Sequence, residues 1–200
     1  PELVEGPVMP SVAQAEENKD KFYYTSVSPY DWSKVQKDDL WNSGTEENPV
    51  KTEYDPCPEG WRVPTYAELG RLNNSYSSFM TVGDQKGRYF CGDYTYLDNV
   101  PQVFLPAAGY CSSIDEIQKL GEEGQYWSSS LDTTMSKFAY LFCCDSNSIR
   151  YKSVGWRVKG ESIRPVCRQN SISQREMYIW QNGGKTTFVV ADVDSVTFGK

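Results

Sequence analysis

Apolar and polar positions alternate in short bursts along this chain, and one stretch carries a helical stripe. The run KFYYTSV (21–27) reads as a strand that stops at Ser28-Pro29. Tyr30, Trp32 and Trp41 then stand spaced among polar residues, the pattern of a packed loop rather than a regular element. Thr65-x-x-Glu68 opens the helical stretch as a capping box: the Thr hydroxyl accepts the N–H of Glu68, and the Glu carboxylate returns to the N–H of Thr65. Pro64 fixes the entry, and Leu69, Leu72 and Tyr76 supply the buried stripe of a helix expected over about 66–74.

Downstream, the segments 88–91, 102–110, 125–129, 137–144, 148–152 and 162–168 are rich in aromatic and β-branched residues. Gly, Asp, Asn and Ser separate them, which predicts a series of short strands. Within 137–144 the two-residue period sets Ala139, Leu141 and Cys143 on one face and Tyr140, Phe142 and Cys144 on the other. Alternating runs on either side of Gly183-Gly184 predict a hairpin, with Ile179 opposite Phe188 and Trp180 opposite Thr187. An isolated hairpin is marginal in water, so this one is expected to pack on the main domain or on a partner. The polar, aperiodic residues 1–20 read as a tether, 21–168 as the main domain and 169–200 as the hairpin segment. The predicted class is α+β: mixed short strands, one or two helices and long loops.

Composition narrows the chemistry. The chain has 200 residues, 38% hydrophobic and 14% aromatic, which favours a loop-rich fold with a core built from rings. Its net charge of -7, with both signs interspersed, disfavours nucleic acid and anionic membrane as partners. No apolar run approaches a membrane span, so a membrane is expected only through an anchor outside this chain. Histidine is absent, which removes Ser-His-Asp and Cys-His catalysis and His-containing zinc sites.

Six cysteines, at 57, 91, 111, 143, 144 and 167, contain no Cys-x-x-Cys. Their spacing suits disulfides in an oxidising compartment, with buried thiols as the alternative. Cys57, between two prolines, fits a rigid corner better than a nucleophile without a base. Bonded to Cys167 it would close a loop whose constraint removes about 4–5 kcal/mol of unfolded-state entropy.

DPCPEGWRVPTYAEL (55–69), FLPAAGY (104–110), GQYWSSS (124–130) with FAYLF (138–142), and SIRPVCR (162–168) follow one another in a distinctive order. Over about residues 22–168 they resemble the Fibrobacter succinogenes major paralogous domain of exported Bacteroidetes-type proteins. That resemblance implies a C-type-lectin-like fold, with Cys57 and Cys167 as the structural disulfide that joins its ends. It leaves the partners of Cys91, Cys111, Cys143 and Cys144 open. The tail 177–198 likewise looks like a terminal segment of exported Bacteroidetes proteins. By analogy the fold also resembles the formylglycine-generating oxidases, but adjacent Cys143 and Cys144 lack the separation of that family's reactive, copper-using pair.

The functional expectation is a non-enzymatic recognition or adhesion module, extracellular or at the outer-membrane surface, with a lipid anchor outside this chain as one way of holding it there. Its partner would be a glycan or a protein on a host or neighbouring cell surface; its cofactor and metal, none. Surface assembly, fimbria-like or on a lipoprotein, is the alternative. The lectin signatures Glu-Pro-Asn, Gln-Pro-Asp and Trp-Asn-Asp are missing. Asp145 and Asn147 are two candidate oxygen ligands, too few alone for calcium. Tyr151 and Trp156, with Tyr110, are candidate stacking rings, and Arg157 and Arg150 candidate hydrogen-bonding forks.

Overall fold

The computed structural model describes residues 2–5, 9–18, 20–74, 76–91, 102–112, 117–167, 176–181 and 184–189. In chain order these hold β1 (Glu2–Glu5), α1 (Val12–Glu16), β2 (Lys21–Tyr24), β3 (Trp61–Arg62) and α2 (Tyr66–Gly70). Then come β4 (Tyr76–Val82), β5 (Gln85–Cys91), β6 (Gln102–Pro106), β7 (Tyr110–Cys111), β8 (Ile117–Gln118) and β9 (Glu123–Leu131). β10 (Phe138–Asp145), β11 (Ile149–Trp156), β12 (Val166–Cys167), β13 (Glu176–Gln181) and β14 (Gly184–Val189) complete them. Among the described residues strands dominate, at 43%, and the α-helices are two short ones, so the class is α+β. The chain forms two compact units, residues 1–166 and 167–200.

Two antiparallel three-stranded sheets organise the first unit, one in the order β11-β10-β9 and one in the order β4-β5-β6. β10 is their hinge of packing because both of its faces are buried. Phe142 and Cys144 join Leu69, Phe90, Leu105 and Tyr126 in one cluster; Ala139, Leu141 and Cys143 join Trp127 in another. The two-residue period therefore sorts one strand's side chains between two cores. Phe90 and Phe142 meet edge-on, with ring centroids 5.9 Å apart.

The Pro-Cys-Pro corner is closed by a carboxylate. Buried Asp55 accepts from Lys51 Nζ (2.8 Å) and the Cys57 N–H (2.8 Å) on one oxygen, and from the Val63 N–H (2.9 Å) on the other. Lys51 Nζ also reaches the Cys57 carbonyl at 2.6 Å. Beyond it, α2 starts with its expected capping box: the Glu68 N–H donates to the Thr65 hydroxyl, and the Thr65 N–H to Glu68. Arg62 forks onto both oxygens of Glu68 at 2.5 and 2.6 Å. Burial works to raise the Glu68 pKa, but the Arg62 pairing and the Thr65 N–H outweigh it and hold the carboxyl below its ordinary value. The helix tightens into a 3-10 turn over Arg71–Asn74.

Cys57 is a buried free thiol of the first unit, and Cys167 an exposed free thiol of the second. The corner needs no covalent tie, since Asp55 and Lys51 already fix the backbone around Cys57. Two expectations are corrected. Residues 1–20 are no mere tether. β1 pairs in parallel with β2, Ser11 and Gln14 form a capping box on α1, and Met9 is buried. The hairpin register differs by two residues: Met177 lies opposite Phe188, Ile179 opposite Thr186 and Trp180 opposite Lys185. The ladder closes on Gln181 and Gly184, so the connecting pair is Asn182-Gly183, the sequence that best suits a two-residue hairpin loop. A shift of two keeps each residue on its own face. The partner of Cys91 lies outside the described side chains.

Candidate functional site

A cleft of about 500 Å³ opens beside β9 within the first unit. Its floor is Trp127, Ser129 and Leu131 of β9 with Ala139 of β10; one wall is Phe22 and Tyr23 of β2. Trp32, Leu40, Trp41 and Pro56, from the ladder-poor segment 25–60, form a second wall, and residues 157–161 with Ile163 the third. A cleft of this size, with aromatic walls and polar groups set among them, has the dimensions of a small-ligand site.

Polar anchors hold the irregular wall. Arg157 Nε lies 3.0 Å from Asp31 Oδ2 in a buried ion pair, off the N–H axis of a hydrogen bond. Its Nη1 donates to Asp38 at 2.6 Å and its Nη2 to the Lys37 carbonyl at 2.5 Å. Burial raises the Asp31 pKa, with the Ser33 N–H and Arg157 pulling against it. The Val158 N–H donates to the Tyr30 carbonyl (3.0 Å), and the Thr52 N–H to that of Trp41 (3.4 Å).

Glu161 is the residue this arrangement leaves unmatched. Gly160 exchanges both backbone hydrogen bonds with Cys111 (2.7 and 2.9 Å). The Ser162 carbonyl accepts from the Trp127 N–H at 2.9 Å, and the Ser162 N–H donates to the Gln125 carbonyl at 3.1 Å. Pinned between these bridges, Glu161 lines the cleft with its stem partly exposed and both carboxyl oxygens buried without a hydrogen-bond partner. Burial pushes its pKa up to about 8; Lys159 pulls it down and Glu123 adds to the rise. Ser129 Oγ, also lining the cleft, is buried and unpartnered as well.

Of the residues expected from sequence, Arg157 lines this cleft, but its guanidinium is committed to the wall. Trp156 stacks on Tyr30 with centroids 4.7 Å apart, and exposed Tyr151 packs beside Gly70. Neither lines the cleft. Asp145 and Asn147 border a separate depression of about 650 Å³ with Lys86, Lys119 and Glu123. Asp145 Oδ1 accepts from the N–H groups of Asn147 (2.7 Å) and Ser148 (2.8 Å), and Oδ2 from Ser148 Oγ and Arg150 Nη1, both at 2.9 Å. Burial acts to raise its pKa, yet Arg150 and these donors hold it well below the carboxylate range. The geometry is that of a self-satisfied turn. Among the described residues, no group of three His, Cys, Asp or Glu side chains gathers that could hold a metal ion.

Trp32, Trp41, Trp127, Ser129 and Glu161 were not singled out as ligand contacts by sequence. The one signal was the spacing of indoles in a polar segment, which fits a packed loop equally well. Buried thiols do not supply a nucleophile in their place. Burial pushes Cys57 and Cys144 up to about 12 and Cys143 up to about 11. Among the described residues no helix is long and apolar enough to cross a membrane. Comparison with family models, curated proteins and solved structures matches the chain to none of them.

Proposed function

We propose that this chain is a non-enzymatic recognition module of C-type-lectin-like build, related to the Fibrobacter succinogenes major paralogous domain and displayed outside the cell. Its ligand sits in the indole-walled cleft. The observation that carries this reading is the cleft itself, lined by Trp32, Trp41 and Trp127 together with Glu161 and Ser129. The buried thiols and the fully paired Asp145 favour binding over catalysis.

A second reading, surface assembly by strand addition, draws on β4. It is an outer strand of its sheet and exposes Tyr76, Met80 and Val82. Purified protein on a panel of glycans and matrix proteins, with calcium and with chelator, separates the readings. Capture that ignores the chelator and falls at least about tenfold in Trp41→Ala is expected for the cleft. Capture untouched by Trp41→Ala, or lost with the chelator, would reject the cleft as the recognition site.

A further inference from the structure

The face of β10 and β11 turned away from the cleft carries a row of rings that neither core cluster absorbs. We propose that this row is a second contact surface, independent of the cleft, which docks an acidic segment of a partner protein. Antiparallel pairing sets Phe138 opposite Trp156 and Tyr140 opposite Val154, so these four share one side of the sheet. Ala139 and Leu141 take the other side, in the core cluster around Trp127. Tyr30 extends the row at one end, stacked on Trp156; Tyr66 of α2 extends it at the other, tilted against Tyr140 with centroids 5.1 Å apart. Val154 and Trp156 are 45% and 38% exposed. Tyr30 keeps its place although its φ of 60° lies in the left-handed region, which a bulky side chain enters only at a cost.

A lysine stands over each end of the row. Lys137 Nζ lies 5.3 Å from the Phe138 centroid and 5.9 Å from that of Tyr30; Lys152 Nζ lies 5.0 Å from those of Tyr66 and Tyr140. Neither ammonium has an ion-pair partner among the described residues. The field of Lys152 reaches Asp132, whose Oδ1 is already occupied by the Thr134 N–H (2.8 Å) and hydroxyl (2.6 Å).

Shape and charge choose the partner. None of these residues lines either depression described above, and an exposed apolar face suits a macromolecule, whereas small ligands settle in concave sites. Two ammoniums free of carboxylates, in a chain of net charge -7, call for carboxylates from outside. A nucleic acid would bring a phosphate with every nucleotide against that net charge, and two cations would be left to neutralise them. On an extended peptide, residues four positions apart lie on the same side, about 13 Å from each other, with one side chain between them. An acid-x-apolar-x-acid segment therefore matches a row with ammoniums at its ends and rings in the middle.

The test is fluorescence anisotropy of labelled, threonine-flanked peptides bearing Asp-Thr-Leu-Thr-Asp, its Asn-for-Asp version or its Lys-for-Asp version. A short oligothymidylate and vesicles of phosphatidylserine with phosphatidylcholine run alongside. We expect saturable binding of the Asp peptide and at least about tenfold weaker binding of the Asn peptide. Lys137→Gln and Lys152→Gln should each weaken the Asp peptide about threefold with no change in melting temperature, and Trp156→Ala should weaken it more. The double variant Lys137→Glu with Lys152→Glu should reverse the preference and take the Lys peptide. Equal binding of the Asp and Asn peptides, or indifference to both lysine variants, would overturn the inference. So would saturation by the oligothymidylate or the vesicles without the peptide, or by no probe at all. Binding lost in Trp41→Ala but kept in the lysine variants would place the peptide in the cleft, overturning this surface while leaving the recognition module.

Discussion

Glu161 and Glu68 are both carboxylates beside arginine- or lysine-bearing segments, yet the fold moves them in opposite directions. Glu68 sits three residues from its cap partner and six from Arg62, so its pairing was legible in the local sequence. The burial of Glu161 arises from bridges to Cys111 and to β9, tens of residues away, and no local pattern announces them. Its consequence is a pH dependence of folding. Below its ordinary pKa of 4.5 the acid is protonated in both folded and unfolded chains and contributes no difference. Between 4.5 and about 8 the folded state retains a proton that the unfolded chain has shed, so stability falls as pH rises, levelling above 8. Glu161→Gln should therefore gain on wild type progressively across that window, by on the order of a few kcal/mol at the plateau. Denaturant unfolding from pH 4 to 9 measures it; a constant gap would mean that the carboxyl is solvated.

Among the elements, those whose chemistry lies within one turn or one strand were readable. The cap of α2 and the two-sided sorting of β10 both emerged where expected, because they depend on neighbours two to four positions apart. The parallel pairing of β1 with β2 did not, since β1 is only four residues long and its partner lies nineteen positions on. The hairpin register failed for a narrower reason: two adjacent glycines drew attention from Asn182-Gly183. Packing between elements makes a sharper prediction at Gly160. A Cβ there would stand 2.9 Å from the Phe22 ring and 3.1 Å from Cys111 Cβ, so Gly160→Ala must displace a wall of the cleft. Overpacking of this kind costs about 1–3 kcal/mol, and both the melting temperature and cleft binding should drop. An unchanged melting curve would show that the ring yields freely.

At the scale of the molecule, the cysteines divide by environment rather than by pairing. Cys57, Cys143 and Cys144 are buried with thiols raised to about 11 or 12, whereas Cys167 is exposed. Iodoacetamide at pH 8 followed by mass spectrometry should modify Cys167 quickly and the other three only after denaturation. Protection of Cys167 in the native protein, reversed by reductant, would restore the disulfide that the family resemblance suggests. That pairing was an inference from analogy, and the residues themselves never required it.

The Arg157 clamp has a consequence for how such a chain can diversify. The cleft's floor belongs to the packed strands β9 and β10, where a change at Trp127 disturbs a core cluster. Trp32 belongs instead to a segment tethered to the body by Asp31, Asp38 and a few backbone hydrogen bonds, nearly free of sheet ladders. The packed core and the irregular wall of the cleft are thereby encoded in different stretches of sequence. A substitution around Trp32 can therefore reshape one wall of the cleft while the packed strands beneath it keep their side-chain contacts.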